Sequence, residues 1–244
     1  MIEIRELVKN YGAVQAVRGL TLDVPRGEVF CFLGPNGAGK TTTIKILTGL
    51  MRPTSGVVRI GGIDVREFPL EAKKLMGYIP DMPFLYERMT VEEVFRFTGD
   101  LYDVAAEAVE VSLGLYFGMF GLLEQRDTLV RDLSHGMRQR LIYACTFLHN
   151  PSVLFVDEPL IGLDPYTIRL IKDLLREKAR AGMTIFLTTH ILALAQDIGD
   201  RIGIIREGNL CALGTLAELR TAHGGHGLED IFLKLTRPGV VVGK

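Results

Sequence analysis

The sequence predicts an α/β fold in which a core of buried strands carries an antiparallel β subdomain and an inserted helical subdomain. The apolar run 29–33 leads through a glycine-rich loop into a helical pattern, which makes a strand–loop–helix unit. The continuous apolar run 153–156, a helical pattern over 166–180 and a predicted strand over 184–189 alternate as strands and helices do in parallel sheets. Between about 82 and 148 no stretch favours a strand, so this part is predicted to be helical.

Composition and charge fit a folded protein with one large core, or with a core and an inserted subdomain. The chain has 244 residues, of which 48% are hydrophobic and 23% charged, and its formal net charge is −1. Because the charges nearly balance, there is no general electrostatic attraction for nucleic acid, and we expect no nucleic-acid partner. Cys31, Cys145 and Cys211 lack C-x-x-C spacing, which favours apolar packing in a reducing compartment over zinc binding.

The sequence predicts neither a signal peptide nor a membrane span. It starts with charged, strand-like residues, and its longest apolar run, 113–123, is shorter than the ~18 residues that a span needs. If the protein works at a membrane, we expect a peripheral subunit whose membrane part is a separate chain.

The first sixty residues predict the antiparallel sheet. Residues 2–8 and 20–24 alternate partly between apolar and polar types, as half-buried strands do, and a turn is predicted over 9–12. A loop over 54–56 precedes a further strand at 57–60.

The rest of the chain contains two predicted helix starts and a predicted hairpin. Thr90 and Glu93 have the spacing of a capping box, and Ser134 is a predicted N-cap. A hairpin is predicted over 202–213. We assign residues 1–220 to the main domain, with the helical insert at about 82–148, and residues 221–244 to a C-terminal tail with a linker at 223–227 and a short apolar face at 228–235.

One stretch matches the P-loop pattern G-x-x-x-x-G-K-[ST] at every fixed position, and we expect all of its residues to bind nucleotide. It reads Gly34-Pro35-Asn36-Gly37-Ala38-Gly39-Lys40-Thr41-Thr42. The glycines let several backbone N–H groups point at one place, and the following helix directs its positive end there. Lys40 would reach the β- and γ-phosphates, and the Thr41 hydroxyl would bind Mg²⁺. The strand–loop–helix context favours a nucleoside-triphosphate site over a chance glycine-rich turn.

Two acids follow the apolar run 153–156. Asp157 would hold Mg²⁺, and its strand is predicted to lie beside the strand that precedes the P-loop. Glu158 would orient and deprotonate the attacking water. Without the P-loop, an exposed acidic pair at a strand end would be an equally good interpretation.

The order of these motifs resembles the ATP-binding subunit of an ATP-binding-cassette (ABC) transporter over about residues 1–215. The stretch Leu133-Ser134-His135-Gly136-Met137 resembles the family's LSGGQ signature, and Gly162-Leu163-Asp164-Pro165 resembles its D-loop. His190 resembles the switch histidine, and Tyr11 resembles the aromatic residue that stacks on adenine. Taken singly, these features would indicate a helix cap, a strand-end histidine and a packed aromatic ring.

The resemblance implies a P-loop NTPase with a RecA-like core that hydrolyses ATP with Mg²⁺, using Lys40, Glu158 and His190 as catalytic residues. It implies a composite site, in which ATP on one P-loop is covered by Ser134 and Gly136 of a second cassette. The implied partners are a transmembrane permease and a second ATP-binding subunit, identical or different. The implied location is the cytoplasm, peripheral on the inner face of the cell membrane.

Two positions depart from the family pattern. The loop after the strand near 75–80 usually carries a glutamine that contacts Mg²⁺ or water, and Asp81 occupies that place. Asp81 can still accept from water or bind metal, but it adds negative charge beside a triphosphate. His135 replaces the first glycine of the signature, adding bulk and a donor for phosphate.

Further details resemble cassettes of exporters for multiple drugs, lipids or polysaccharides, notably the segments 137–140 and 228–235. The apolar run 113–120 has two interpretations. Part of it, including Phe117 and Phe120, lines the groove that receives a helix of the membrane subunit, or it is ordinary core.

Two other functions stay open on the sequence. The first is a non-transport ABC-type ATPase that acts on nucleic acid or the ribosome; such proteins usually carry tandem cassettes or a long coiled-coil insertion, and neither is present here. The second is a regulatory module that binds nucleotide without hydrolysis. Asp157, Glu158 and His190 argue against it, whereas Asp81 and His135 leave it open.

Overall fold

The chain forms two β-sheets and a helical insert in a computed structural model that describes residues 1–82, 84–158, 160 and 163–236. Within these residues the strands are β1 (Ile2–Tyr11), β2 (Val14–Val24), β3 (Val29–Leu33), β4 (Ser55–Ile60), β5 (Ile63–Asp64), β6 (Met76–Ile79), β7 (Val153–Asp157), β8 (Thr184–Thr189), β9 (Arg201–Arg206) and β10 (Asn209–Gly214). The helices are α1 (Lys40–Leu47), α2 (Pro69–Lys74), α3 (Val91–Leu101), α4 (Ala106–Phe120), α5 (His135–Leu148), α6 (Pro165–Arg180), α7 (Leu192–Ile198), α8 (Leu216–Ala222) and α9 (Leu228–Thr236). The predicted α/β architecture with both subdomains is confirmed.

The larger sheet has the strand order β10-β9-β3-β8-β7-β6. β3 pairs in parallel with β8 and β9, and β7 pairs in parallel with β8 and β6. The carboxyl ends of these parallel strands therefore meet at one edge, where the P-loop, Asp157, Glu158 and His190 follow their strands.

The prediction that the strand before Asp157 lies beside the strand before the P-loop is wrong. β8 lies between β3 and β7. All three strands are buried along their whole length, and a strand that is apolar on both faces carries no signal about which neighbour it pairs with.

The smaller sheet is antiparallel, in the order β2-β1-β4-β5. The turn predicted over 9–12 is shorter in the structure, because β1 continues to Tyr11, which pairs with Val14. Gly12, at φ 56°, allows the chain to reverse direction in a tight turn. The polar residues Lys9 and Asn10 therefore belong to β1, where they pair with β2. β4 likewise begins at Ser55, inside the loop predicted over 54–56.

Alternating side chains of the larger sheet enter two different cores. Phe30 and Phe32 of β3 pack with the antiparallel sheet and α1. Cys31 and Leu33 of the same strand pack with the helical insert and the helices that follow it. Cys145 is also buried and Cys211 is half-buried, in keeping with the predicted apolar packing.

The helical insert contains α3, α4 and α5. Thr90 and Glu93 form the predicted capping box at the start of α3. On α4, Phe117 and Phe120 are buried with Leu113 and Tyr116, so this part of the run 113–120 is core and not the wall of an open groove.

The C-terminal helix α9 packs on the main domain through Leu228, Ile231 and Leu235, all of which are buried. The Arg206 guanidinium donates to the Leu235 carbonyl oxygen at 3.2 Å. The boundary at residue 220 stays a prediction. In the part of the chain that the structure describes, no helix has both the length and the apolar character needed to cross a bilayer.

Candidate nucleotide site

The P-loop joins the end of β3 to the start of α1, and its glycines are required by space and backbone conformation. A Cβ on Gly34 would lie 2.5 Å from the carbonyl oxygen of Ile205. Gly39 has φ 107°, and a Cβ there would collide with the carbonyl oxygen of Ala16. The loop is therefore tightly packed from behind while Gly37, at φ 77°, faces open space.

A cavity of about 340 Å³ opens in front of the loop. Its wall is formed by Ala16, Asn36, Gly37, Gly39, Lys40, Thr41, Thr42, Asp81, Glu158 and His190. The structure thus brings most of the predicted P-loop residues to one place with two acids, Asp81 and Glu158, and with His190, all from distant strand ends.

Lys40 is the one P-loop side chain with a positive charge, and only 6% of it is exposed. Its Nζ donates to the carbonyl oxygens of Gly34 at 2.8 Å and Pro35 at 3.2 Å, and lies 3.6 Å from Glu158 Oε1. Burial lowers the pKa of Lys40, and the carboxylates of Glu158 and Asp157 oppose that shift.

Asp157 ends β7 and is 2% exposed. Thr188, which pairs with Asp157 in register from β8, donates its hydroxyl to Asp157 Oδ1. Burial raises the pKa of Asp157, and hydrogen bonds from the side chains of Thr188 and Thr41 lower it. The Thr41 contact joins the first turn of α1 to this carboxylate across β8.

Glu158 has its backbone in the left-handed region, at φ 49°, which is unusual for a residue with a side chain. Its Oε1 lies 2.9 Å from His190 Nδ1, and its Oε2 accepts from Thr189 Oγ1 at 3.3 Å. Asp157 and Glu158 therefore contact different partners.

Asp81 follows β6 and lines the same cavity as the P-loop. Burial raises the pKa of Tyr78, three residues earlier, to about 12, and the charges of Asp157 and Asp81 add to this shift. The cavity thus combines one lysine and the positive end of α1 with several carboxylates, which suits an anion bound together with a cation.

A family model described as "ABC transporter" matches residues 17–161, more than half of the chain. The chain belongs to the ABC transporter family. The family predicted from the motifs is thereby confirmed. ATP-binding subunits of this family bind ATP and hydrolyse it, associate with membranes through transmembrane components, and form dimers of cassettes.

Individual relatives support this assignment. The probable multidrug ABC transporter ATP-binding protein YbhF of Escherichia coli (strain K12) is 37% identical over 220 residues, 90% of this chain and 38% of YbhF. The daunorubicin/doxorubicin resistance ATP-binding protein DrrA of Streptomyces peucetius is 40% identical over 226 residues, 92% of this chain and 68% of DrrA. This chain therefore spans well under half the length of YbhF but about two thirds of DrrA.

A solved structure of the ATP-binding subunit of an ABC transporter superposes on this cassette with a TM-score of 0.93. It is 34% identical and covers 97% of this chain and 100% of that one. The predicted P-loop NTPase fold with its antiparallel and helical subdomains is thereby confirmed.

Several predicted site residues of the cassette lie away from the cavity. Tyr11 ends β1 half-exposed, and its hydroxyl donates to Met51 Sδ at 2.8 Å. Ser134 caps α5, where its Oγ accepts from the Met137 amide at 3.3 Å, and Gly136 lies in the first turn of that helix. Neither Ser134 nor Gly136 lines the cavity formed by this chain's own P-loop.

The predicted D-loop is partly described. Gly162 lies outside the described residues. Asp164 caps α6 by accepting from the Thr167 amide at 3.0 Å, and it also accepts from Arg140 of α5 at 2.7 Å. The signature helix and the D-loop are thus joined directly.

Sequence reasoning missed the residues that orient the two acids. Thr188 and Thr189 each donate to one of them, and Ala16 and Ile205 pack behind the P-loop. The pair of threonines directly before His190 is a visible signal, but its meaning depends on knowing that β8 lies beside β7.

Proposed function

We propose that this chain is an ATP-hydrolysing subunit that powers export of a substrate through a separate transmembrane partner. The observation that carries the proposal is the meeting of Lys40, Thr41, Glu158 and His190 at the P-loop cavity, with the buried Asp157 next to Thr41. These residues come from three separate segments of the chain, the start of α1 and the ends of β7 and β8, and their functional groups match the needs of phosphoryl transfer to water.

Each group has a role in that chemistry. The amides of the P-loop and the N-terminus of α1 would cradle the β- and γ-phosphates, and Lys40 would turn from its own loop carbonyls to the phosphate oxygens. Glu158 would take a proton from the attacking water. Thr189 and His190 would hold the Glu158 carboxylate in the orientation that this requires. His190, half-exposed at the mouth of the cavity, would also contact the γ-phosphate.

The residues present fit Mg²⁺. Thr41 lies near Asp157, whose pKa it lowers, and both offer the hard oxygen donors that this ion prefers. Asp81, which lines the same cavity, would bind the ion directly or through water. Among the described residues, no group of three or more His, Cys, Asp or Glu side chains is placed to hold a metal ion by itself. Mg²⁺ at phosphate sites is usually bound by one or two protein groups together with phosphate oxygens and water. When bound, Mg²⁺ would neutralise charge on the β- and γ-phosphates.

A second cassette would complete the site. Ser134 and Gly136 lie at the exposed start of α5, away from their own P-loop, where they would face the γ-phosphate of a nucleotide bound to the other cassette. Tyr11, exposed at the end of β1, would stack on the adenine. Pairing could be with an identical chain or with a related one.

The partner would be a transmembrane permease, with the cassette on the cytoplasmic, inner face of the membrane. DrrA is named for resistance to daunorubicin and doxorubicin, and YbhF is named as part of a probable multidrug transporter. We infer an exporter of the same type, with substrate selection by the membrane subunit.

Hydrolysis and binding can be separated by two substitutions. We expect Glu158→Gln to bind ATP and to lower phosphate release by about 10²–10⁴-fold, because the amide cannot accept the water's proton. Lys40→Ala should lose nucleotide binding, because the buried cation that faces the phosphates is removed. Phosphate release and the Kd of a fluorescent ATP analogue measure the two effects.

Glu6→Gln is the matched control, since Glu6 also has a positive φ, 47°, and is exposed on the antiparallel sheet away from the cavity. Turnover by Glu158→Gln close to that of Glu6→Gln would show that Glu158 is not the general base.

A further inference from the structure

The turn of the β9–β10 hairpin lies directly behind the P-loop. Its two turn residues are Glu207 and Gly208. The Gly208 amide donates to the carbonyl oxygen of Ala38, within the P-loop, at 2.9 Å. The Gly208 carbonyl oxygen accepts from the Arg18 amide of β2, also at 2.9 Å. Gly208 is therefore hydrogen-bonded to the P-loop through its amide and to the antiparallel sheet through its carbonyl oxygen.

Gly208 cannot carry a side chain without moving its neighbours. Its φ is 80°, in the left-handed region, and a Cβ there would lie 2.8 Å from the carbonyl oxygen of Ala16 and 3.1 Å from its carbonyl carbon. Both contacts are with backbone, which has no rotamer to change.

The same Ala16 carbonyl touches the P-loop. It is the group that a Cβ on Gly39 would meet, and Ala16 itself lines the nucleotide cavity. On the other side, Gly34 packs against Ile205, the residue of β9 that precedes Arg206. The P-loop backbone is therefore held between the Ala16 segment and the hairpin, with no spare space at either contact.

We propose that Gly208 is a positioning residue for nucleotide binding: through Ala38 and Ala16 it sets the conformation in which the P-loop presents its amides to phosphate. It does not touch the nucleotide. The inference rests on the proposed function, since it assigns Gly208 to the site where ATP would bind. A displacement of Gly208 would move Ala38 and the amides next to it, so binding should weaken while the acids and His190 keep their places.

The chain supplies a close control in a second two-residue hairpin turn of similar backbone geometry. Gly61 and Gly62, between β4 and β5, have φ 59° and 85°, nearly the angles of Glu207 and Gly208, at 48° and 80°. A Cβ on Gly62 would meet nothing within 4 Å. Gly62→Ala therefore carries the same backbone strain as Gly208→Ala without any contact to the P-loop.

The test is to compare Gly208→Ala, Gly62→Ala and the unaltered chain. We expect Gly208→Ala to raise the ADP Kd and the ATP KM about tenfold, with kcat at saturating ATP nearly unchanged. Both variants should lower the melting temperature through strain at a positive φ, Gly208→Ala by more because its Cβ also meets the Ala16 backbone, and Gly62→Ala should leave KM unchanged. A KM and Kd for Gly208→Ala equal to those of Gly62→Ala would overturn the inference. If the unaltered chain binds no nucleotide, the proposed function fails as well.

A second measurement needs no variant and decides the matter if Gly208→Ala does not fold. Binding of ADP with Mg²⁺ should slow hydrogen exchange in peptides that contain the Gly208 amide, because its acceptor lies in the P-loop. Peptides containing Gly61 and Gly62 should exchange as before. Equal, unchanged exchange in both turns would contradict the proposal.

Discussion

Glu158 is held from three directions before any substrate is considered. Lys40 lies near one carboxylate oxygen, His190 contacts the same oxygen, and Thr189 donates to the other. Its backbone at φ 49° is strained for a residue with a side chain, and such strain is found where surrounding contacts fix a functional group. The geometry fits a base whose direction must be set in advance.

Thr189 provides a test of that orientation. We expect Thr189→Val to lower kcat about tenfold, because the valine removes the hydroxyl that donates to Glu158, with little change in ATP binding. The same hydroxyl accepts from the Ile191 amide, so the variant should also lose about 1–3 kcal/mol of unfolding free energy.

Thr184→Val separates the two effects. Thr184 starts the same strand, is equally buried, and its hydroxyl also donates to one carbonyl, of Pro25, and accepts from one amide, of Gly27. This variant should lose similar stability and keep its kcat. Equal kcat values for the two variants would show that Thr189 does not orient Glu158.

At the residue scale, the sequence predicts the groups that we propose to do the chemistry but not those that orient them. The P-loop, Asp157 and Glu158 carry recognisable patterns because phosphate and metal binding need fixed residue types at fixed spacing. Thr188 and Thr189 contact the acids across a strand pair, and such contacts depend on strand order, which no local pattern contains.

At the element scale, strand and helix positions followed largely from periodicity. β7, β8, the hairpin of β9 and β10, and the caps of α3 and α5 lie where the sequence predicts them. The neighbour of β7 was predicted wrongly because three equally apolar strands are interchangeable by pattern. The length of β1 was underestimated because pairing with β2 holds polar residues that alone favour a turn.

Helix α4 offers a test of where the core ends. Phe117 is fully buried against Phe95, with ring centroids 5.1 Å apart, whereas Leu115 on the same helix is 55% exposed. We expect Phe117→Ala to cost about 3–5 kcal/mol of unfolding free energy, because it leaves a cavity in the insert. Leu115→Ala should change it by no more than about 0.5 kcal/mol. Chemical denaturation measures both, and similar losses for the two variants would contradict the assignment of Phe117 to the core.

At the scale of the whole molecule, the P-loop lies where the two sheets meet. The larger sheet supplies the P-loop, the acids and, in the turn of its β9–β10 hairpin, Gly208, and the antiparallel sheet supplies Ala16. The helical insert instead presents Ser134 away from this cavity. A single cassette therefore holds half of the composite site that we propose, and the other half would come from a second cassette.

The family could be predicted from sequence because several motifs occur in one order, which is far more specific than any one of them. The partner and the substrate could not, because the residues that select them would belong to another chain. Within this chain, Asp81 and His135 are the positions whose effect on activity depends on contacts with a nucleotide and a second cassette.

The most direct test of the central claim is to capture the tagged chain from its native cells in mild detergent, with ATP and without, and to assay phosphate release by the recovered material. The account predicts a protein with several membrane spans in the complex and ATP hydrolysis that Glu158→Gln abolishes. Recovery of ribosomes or DNA-binding proteins without a membrane protein would contradict the transport function.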